Sequence, residues 1–152
     1  DPSIVEVISE KENMNVKEVL NVLNKKSGVL GLSEVSSDFR DITKAIEEGN
    51  EVAKNALEVF ANTVVRFVGA YVAEMNGVDA IAFTAGVGEN NQAVRKMVCE
   101  QLGYLGVSLD EKANEKRREE IMISTPDSKV KVFVIPTNEE LAIARETLEL
   151  LS

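Results

Sequence analysis

Asp79 to Gln92, DAIAFTAGVGENNQ, holds the side chains and glycines best suited to binding an anion. Ala80-Ile81-Ala82-Phe83 is a short apolar run, Gly86-Val87-Gly88 follows, and Glu89, Asn90 and Asn91 lead into an amphipathic stretch. The pattern is strand, glycine turn, helix start. Glycine lets a backbone approach a ligand closely and take positive φ, while the first amides of a helix have no internal partners and carry the positive end of its dipole. Such a unit can hold a phosphate. The plainer account is a tight connection between a buried strand and its helix. No Lys-Ser/Thr pair follows, which excludes a Walker A loop, and Asn91 stands where a dinucleotide fingerprint wants its third glycine.

Two other groups invite the same question. Asp38-Phe39-Arg40 opens a helical pattern that runs to Gly49. There Ser37 or Asp38 could cap the helix, Phe39 could be core and Arg40 a solvated charge. Alternatively, the aromatic ring and the planar guanidinium could lie beside a nucleotide base or ribose. Glu139 and Glu140 open the last helix after Pro136-Thr137-Asn138. Two carboxylates in a first turn suit the helix dipole, and one could instead be a magnesium ligand beside triphosphate oxygens.

The secondary structure around these groups follows from periodicity. Asp1-Pro2-Ser3 reads as a helix start, with Ile4, Val5, Val7 and Ile8 as its apolar face, and a second short helix opens at Asn15. Ser27 to Ser37 is punctuated by glycine and serine and reads as loop. Glu51 to Asn76 is the longest helical pattern, with Gly77 as its stop. Its stripe of Ala53, Leu57, Phe60, Val64, Val68 and Tyr71 is broadened by Val52, Val59, Phe67 and Val72. Two surfaces are thus covered, one of them by the sheet and the other by the rest of the fold or a partner. Gln92 to Tyr104 reads as a helix, Val107 to Leu109 and Ile121 to Ser124 as short strands, and Asp110 to Glu120 as a solvated charged face. Lys129 to Ile135 is a strand entering a covered sheet, so the chain repeats strand, polar turn, helix start.

Composition narrows the classes. A chain of 152 residues with 44% apolar and 28% charged residues can form one domain with a core. A net charge of −9 argues against a nucleic-acid partner held through phosphates. Cys99 is the only cysteine, which fits a core thiol and a reducing, cytoplasmic setting. The absence of histidine excludes histidine base, nucleophile or metal chemistry within the chain. No apolar run approaches membrane-spanning length, and no signal pattern opens the chain.

Four separated motifs then resemble acetate kinase in that family's order: Asn24-Lys25-Lys26-Ser27-Gly28, Ser36-Ser37-Asp38-Phe39-Arg40-Asp41, Phe83 to Asn90, and Ser124 to Glu140 (STPDSKVKVFVIPTNEE). The resemblance runs from Asp1 to Leu151 and is to the C-terminal portion of the family only. It implies an α/β fold, the C-terminal part of an actin/Hsp70/sugar-kinase-like (ribonuclease H-like) nucleotide-binding domain. Residues 1–49 would be a helical subdomain with an adenosine-side loop, and residues 50–152 the α/β nucleotide-binding portion. It also implies reversible transfer of the ATP γ-phosphoryl group to acetate with Mg2+. Asp38, Phe39 and Arg40 would lie near the adenosine, Gly86, Val87, Gly88 and Asn90 at the ribose and phosphates, and Glu139 toward the metal. The family's catalytic residues lie upstream of the matched region, so the expectation is that this chain alone is inactive. One edge of the strand at Ala80–Phe83 should be unpaired, inviting an N-terminal half or self-association. A butyrate or propionate kinase portion, or a non-catalytic dimerisation module, are the alternatives.

Overall fold

In the computed structural model, residues 1–117 and 119–151 are described. They resolve into two compact units, Asp1–Phe60 and Ala61–Ser152, with the division falling inside one long helix.

The first unit is helical. Helix α1 (Ser3–Glu12) starts where the Asp1 carboxylate accepts the Ser3 N–H at 2.9 Å. Helix α2 (Val16–Lys25) packs on it and opens with a reciprocal cap: Asn15 Oδ1 accepts from Glu18 N, and Glu18 Oε2 accepts from Asn15 N. The stretch from Ser27 to Ser37, read as loop, contains a short helix α3 (Gly28–Ser33). Its glycines and serines mark the helix ends, and Ser33, buried, ties the exit through its hydroxyl to Val35 N–H at 3.2 Å. Helix α4 (Phe39–Glu47) follows. Val19, Ile42, Ala53, Ala56 and Leu57 form the buried core of this unit.

Helix α5 (Glu51–Glu74) ends at Asn76 and Gly77, both at positive φ, with Gly77 N–H donating to Val72 O. Its Ala53 and Leu57 are buried, whereas Val52, Val59, Phe67 and Tyr71 are exposed. The second apolar surface read in the sequence is therefore bare in the chain. The expectation that no apolar run approaches membrane-spanning length is corrected here: α5 is long and apolar enough to cross a membrane by length and composition. Asn62 and Arg66 break its apolar runs, and the surrounding valines and alanines keep the average apolar.

The second unit holds a three-stranded sheet in the order β1 (Ala80–Phe83), β3 (Lys131–Val134), β2 (Ile121–Met122). Strand β1 runs parallel to β3, and β2 runs antiparallel to it. Val132, Val134, Ile123 and Val130 are buried with Val94, Val98, Cys99 and Leu102 of the neighbouring helical stretch. Strand β1 is an edge, as the sequence reading required. Between β1 and β2 lie α6 (Ala85–Asn90), α7 (Gln92–Gln101), a single 3-10 turn (Gly103–Leu105) and α8 (Glu111–Asn114). The α7 helix thus stops three residues before Tyr104. The expected strand at Val107–Leu109 is reduced to one bridge, Leu109 with Ser124. Of the charged run Asp110–Glu120, only Glu111–Asn114 is helical among the described residues, and Arg118 lies outside them. Helix α9 (Glu139–Leu151) closes the chain with exposed Ile143, Leu148 and Leu150.

Candidate functional site

The site is set by the parallel pairing of β1 and β3. Their register places Phe83 beside Val134, and Ile135 N–H donates to Phe83 O at 2.9 Å, so both strands end at the same level. The glycine segment leaves the carboxyl end of β1, and Pro136-Thr137-Asn138-Glu139 leaves the carboxyl end of β3. Ligands of open α/β sheets bind at such carboxyl ends.

The glycine segment is not the turn that its composition predicted. Thr84 is extended, and residues 85–90 form the short helix α6. The single positive φ belongs to Ala85, at 59°, and neither Gly86 nor Gly88 uses that freedom. What distinguishes the two glycines is space. A Cβ on Gly88 would stand 3.3 Å from the Phe83 carbonyl carbon, so Gly88 lets α6 fold back on its own strand. A Cβ on Gly86 would meet nothing within 4 Å, and no contact inside the chain requires glycine there. Val87 is half-buried and its carbonyl accepts the Asn91 N–H at 2.9 Å. Asn90 donates from Nδ2 to Gly86 O at 2.8 Å, and Asn91 caps α7 by accepting from Val94 N–H at 3.1 Å.

Beneath this segment lies a residue the sequence reading passed over. Arg95, on the buried face of α7, is fully buried. Its Nη1 donates to Gly88 O and Glu89 O, each at 3.0 Å, while Nε donates to Asn114 Oδ1 at 2.8 Å. Its Nη2 donates to Asn114 O at 2.5 Å and to Lys116 O at 3.0 Å. Asn114, also buried, returns its own Nδ2 to Gln92 O. Every partner of Arg95 is a neutral oxygen. Burial lowers the guanidinium pKa from its usual value, and Arg117 adds to this; the group stays charged because arginine is not deprotonated in proteins. The available signal was an arginine at an inward position of an otherwise apolar helix face, between Val94 and Val98.

A second tie links the two motif loops. Glu89 Oε1 accepts from Thr137 N–H at 2.8 Å and from the Thr137 hydroxyl at 3.1 Å. Two residues on, Glu139 occupies the first turn of α9, whose Leu141 N–H is capped by Asn138 Oδ1. The Glu139 side chain is exposed and has no hydrogen bond or ion pair among the described residues. No cluster of three or more metal-binding side chains exists among them. An exposed carboxylate fits magnesium, which is held by one or two carboxylates with substrate phosphates and water.

In the first unit, Asp38 caps α4 by accepting Arg40 N–H at 2.8 Å and also accepts from Arg40 Nε at 3.0 Å. The side-chain hydrogen bond from Arg40, with the backbone one behind it, holds the Asp38 pKa down to about 2. Asp38 raises the Arg40 pKa in return. The Arg40 side chain is 90% exposed, so Asp38 holds one edge of the guanidinium and leaves the rest to solvent. Phe39 is half-buried, its ring 4.8 Å from that of Phe60 in an edge-on contact. Asp38 and Phe39 thus already have structural roles, and Arg40 combines a structural partner with a free face. Cys99 is buried and burial pushes its thiol up to about 12, as expected of a core thiol.

The family model described as the acetokinase family matches residues 1–145. The chain belongs to the acetokinase family. It is 60% identical over 151 residues to the acetate kinase of Lachnoclostridium phytofermentans, covering 99% of this chain and 38% of that protein. The acetate kinase of Carboxydothermus hydrogenoformans is equally similar, at 60% over the same coverage. Among solved structures, Porphyromonas gingivalis acetate kinase superposes with a TM-score of 0.91 at 44% identity, over 100% of this chain and 38% of that one. A propionate kinase from Francisella tularensis superposes with a TM-score of 0.86 at 39% identity, over 96% and 37% of the two chains. The chain therefore spans about 38% of the length of these acetate kinases. Its fold is the α/β, actin/Hsp70-like fold of acetokinases, present here in part.

Proposed function

We propose that the chain is the nucleotide-holding portion of an acetate kinase, which transfers the γ-phosphoryl group of ATP to acetate and forms acetyl phosphate and ADP reversibly. One observation carries the reading: the glycine segment and the Glu139 loop leave the same end of adjacent parallel strands, with open space at Gly86 and a free carboxylate at Glu139. The space at Gly86 admits a phosphate or ribose against the backbone, and Val87, Gly88 and Asn90 shape the same wall. Glu139 holds Mg2+ directly or through water, and the metal, when bound, neutralises charge on the phosphate oxygens. In the other unit, Asp38 fixes Arg40 so that the guanidinium face can stack on an adenine or hydrogen-bond a ribose, with Phe39 supporting the same turn.

Phosphoryl transfer needs positioned cations around the in-line phosphate, and none of the residues assigned here supplies that set beyond the metal. The 152 residues alone are accordingly proposed to bind nucleotide without turnover, with an N-terminal half as the completing partner. The exposed apolar face of α5 supports self-association, and the cytoplasm is the compartment we infer. Propionate kinase is the second reading, favoured by the Francisella tularensis match. The test is calorimetric titration of Mg-ADP into the chain and its Arg40→Ala variant, alongside an assay for acetyl phosphate from ATP and acetate. Binding that Arg40→Ala weakens, without acetyl phosphate, is expected. A folded chain that releases no heat overturns the proposal.

A further inference from the structure

We propose that Glu89 is a positioning residue that couples the glycine segment to Glu139, so that nucleotide held at one tightens the metal held at the other; this rests on the nucleotide reading above. A carboxylate beside an anion-binding segment works against a phosphate by simple repulsion. Its geometry shows what the charge does instead. One oxygen, Oε1, accepts both the amide and the hydroxyl of Thr137, a residue 48 positions away. Charge-assisted bonds of this kind are the stronger ones. The backbone carbonyl of the same residue is held by Arg95 Nη1 at 3.0 Å, and Arg95 is anchored to Asn114 and Lys116. Glu89 is thus fixed from below by a buried guanidinium and reaches across the two strand ends with its side chain. Thr137 in turn lies two residues before Glu139, at the point where the chain turns into α9. Any shift of α6 on taking a ligand is passed through Thr137 to the first turn of α9, where Glu139 sits.

The experiment measures ADP affinity with and without Mg2+ for the wild-type chain, Glu89→Gln, Glu89→Ala, Thr137→Val and the double variant Glu89→Ala/Thr137→Val. Glu89→Gln keeps an acceptor oxygen at the same reach, and Glu89→Ala removes it. The Mg2+-dependent gain in ADP affinity should fall about fivefold in Glu89→Ala, the low end of couplings between sites. It should fall less in Thr137→Val, which retains the amide donor, and recover in Glu89→Gln. The double variant should lose no more than Glu89→Ala, because both changes break one link. Amide chemical shifts give a readout free of nucleotide: the Thr137 amide should move in Glu89→Ala and return toward its wild-type position in Glu89→Gln. An Mg2+ gain indifferent to Glu89→Ala, or a Thr137 amide that does not respond, overturns the coupling alone. A wild-type chain that binds no ADP overturns the nucleotide reading and the coupling with it.

Discussion

Replacing Arg95 by methionine should be the most damaging single change in the second unit. The side chain is fully buried and makes five hydrogen bonds, to Asn114 Oδ1 and to the carbonyls of Gly88, Glu89, Asn114 and Lys116. Methionine fills much of the volume and restores none of the donors, so acceptors at two separate stretches of chain, residues 88–89 and 114–116, lose their partner. A hydrogen bond to a charged group contributes about 1.5–3 kcal/mol, and five sharing one cation do not add. The partners are neutral, so the loss is that of buried acceptors left unsatisfied, about 1–3 kcal/mol each before relaxation, and we place Arg95→Met at about 3–5 kcal/mol. That is a large part of the ~5–15 kcal/mol that holds a typical domain. The assay is urea denaturation followed by far-ultraviolet circular dichroism, with hydrogen exchange on α7 amides to assign the loss to the second unit. A variant within about 0.5 kcal/mol of wild type, the usual range for surface changes, would refute the assignment of Arg95 as the anchor of α6.

The two glycines of α6 should separate stability from binding. Gly88→Ala drives a Cβ against Phe83 and should cost about 1–3 kcal/mol by overpacking. Gly86→Ala enters open space and should leave stability within about 1 kcal/mol, on the stabilising side, while weakening ADP; equal stability losses would contradict this. Cys99, with its thiol pushed up to about 12, should resist alkylation at pH 8 in the native chain and react on unfolding. Rapid native labelling would show that α7 is not packed as described. Asp38, held down near 2 by Arg40, contributes stability that is complete above the ordinary carboxylate range and lost as the pH falls through about 2. An NMR titration of its side chain should therefore have its midpoint near 2 in wild type and clearly higher in Arg40→Ala, short of the ordinary carboxylate value because the amide of residue 40 still donates to it; identical midpoints would contradict the pairing.

Much of this was legible where one residue type had one physical use. Asp38 preceded a helical pattern and is its cap, Cys99 suited a core thiol and is buried, and Val132 and Val134, in the strand read at 129–135, are buried. The glycine segment was misread in form because glycine marks both turns and close packing; only the neighbouring Phe83 backbone shows that Gly88 serves the second use. The helix α3 escaped for a related reason, since serines and glycines cap short helices as readily as they fill loops. Arg95 and the Glu89–Thr137 link were not legible at all. Both depend on which residues meet across 19 or 48 positions of chain, and no local pattern encodes that meeting.

We propose that the carboxyl ends of β1 and β3 hold nucleotide phosphates and magnesium. Amide chemical shifts of the chain, followed through a Mg-ADP titration, should then move saturably and furthest at residues 86–90 and 137–140. Saturable binding whose shifts leave both segments untouched, or no shifts at any ADP concentration, would contradict it.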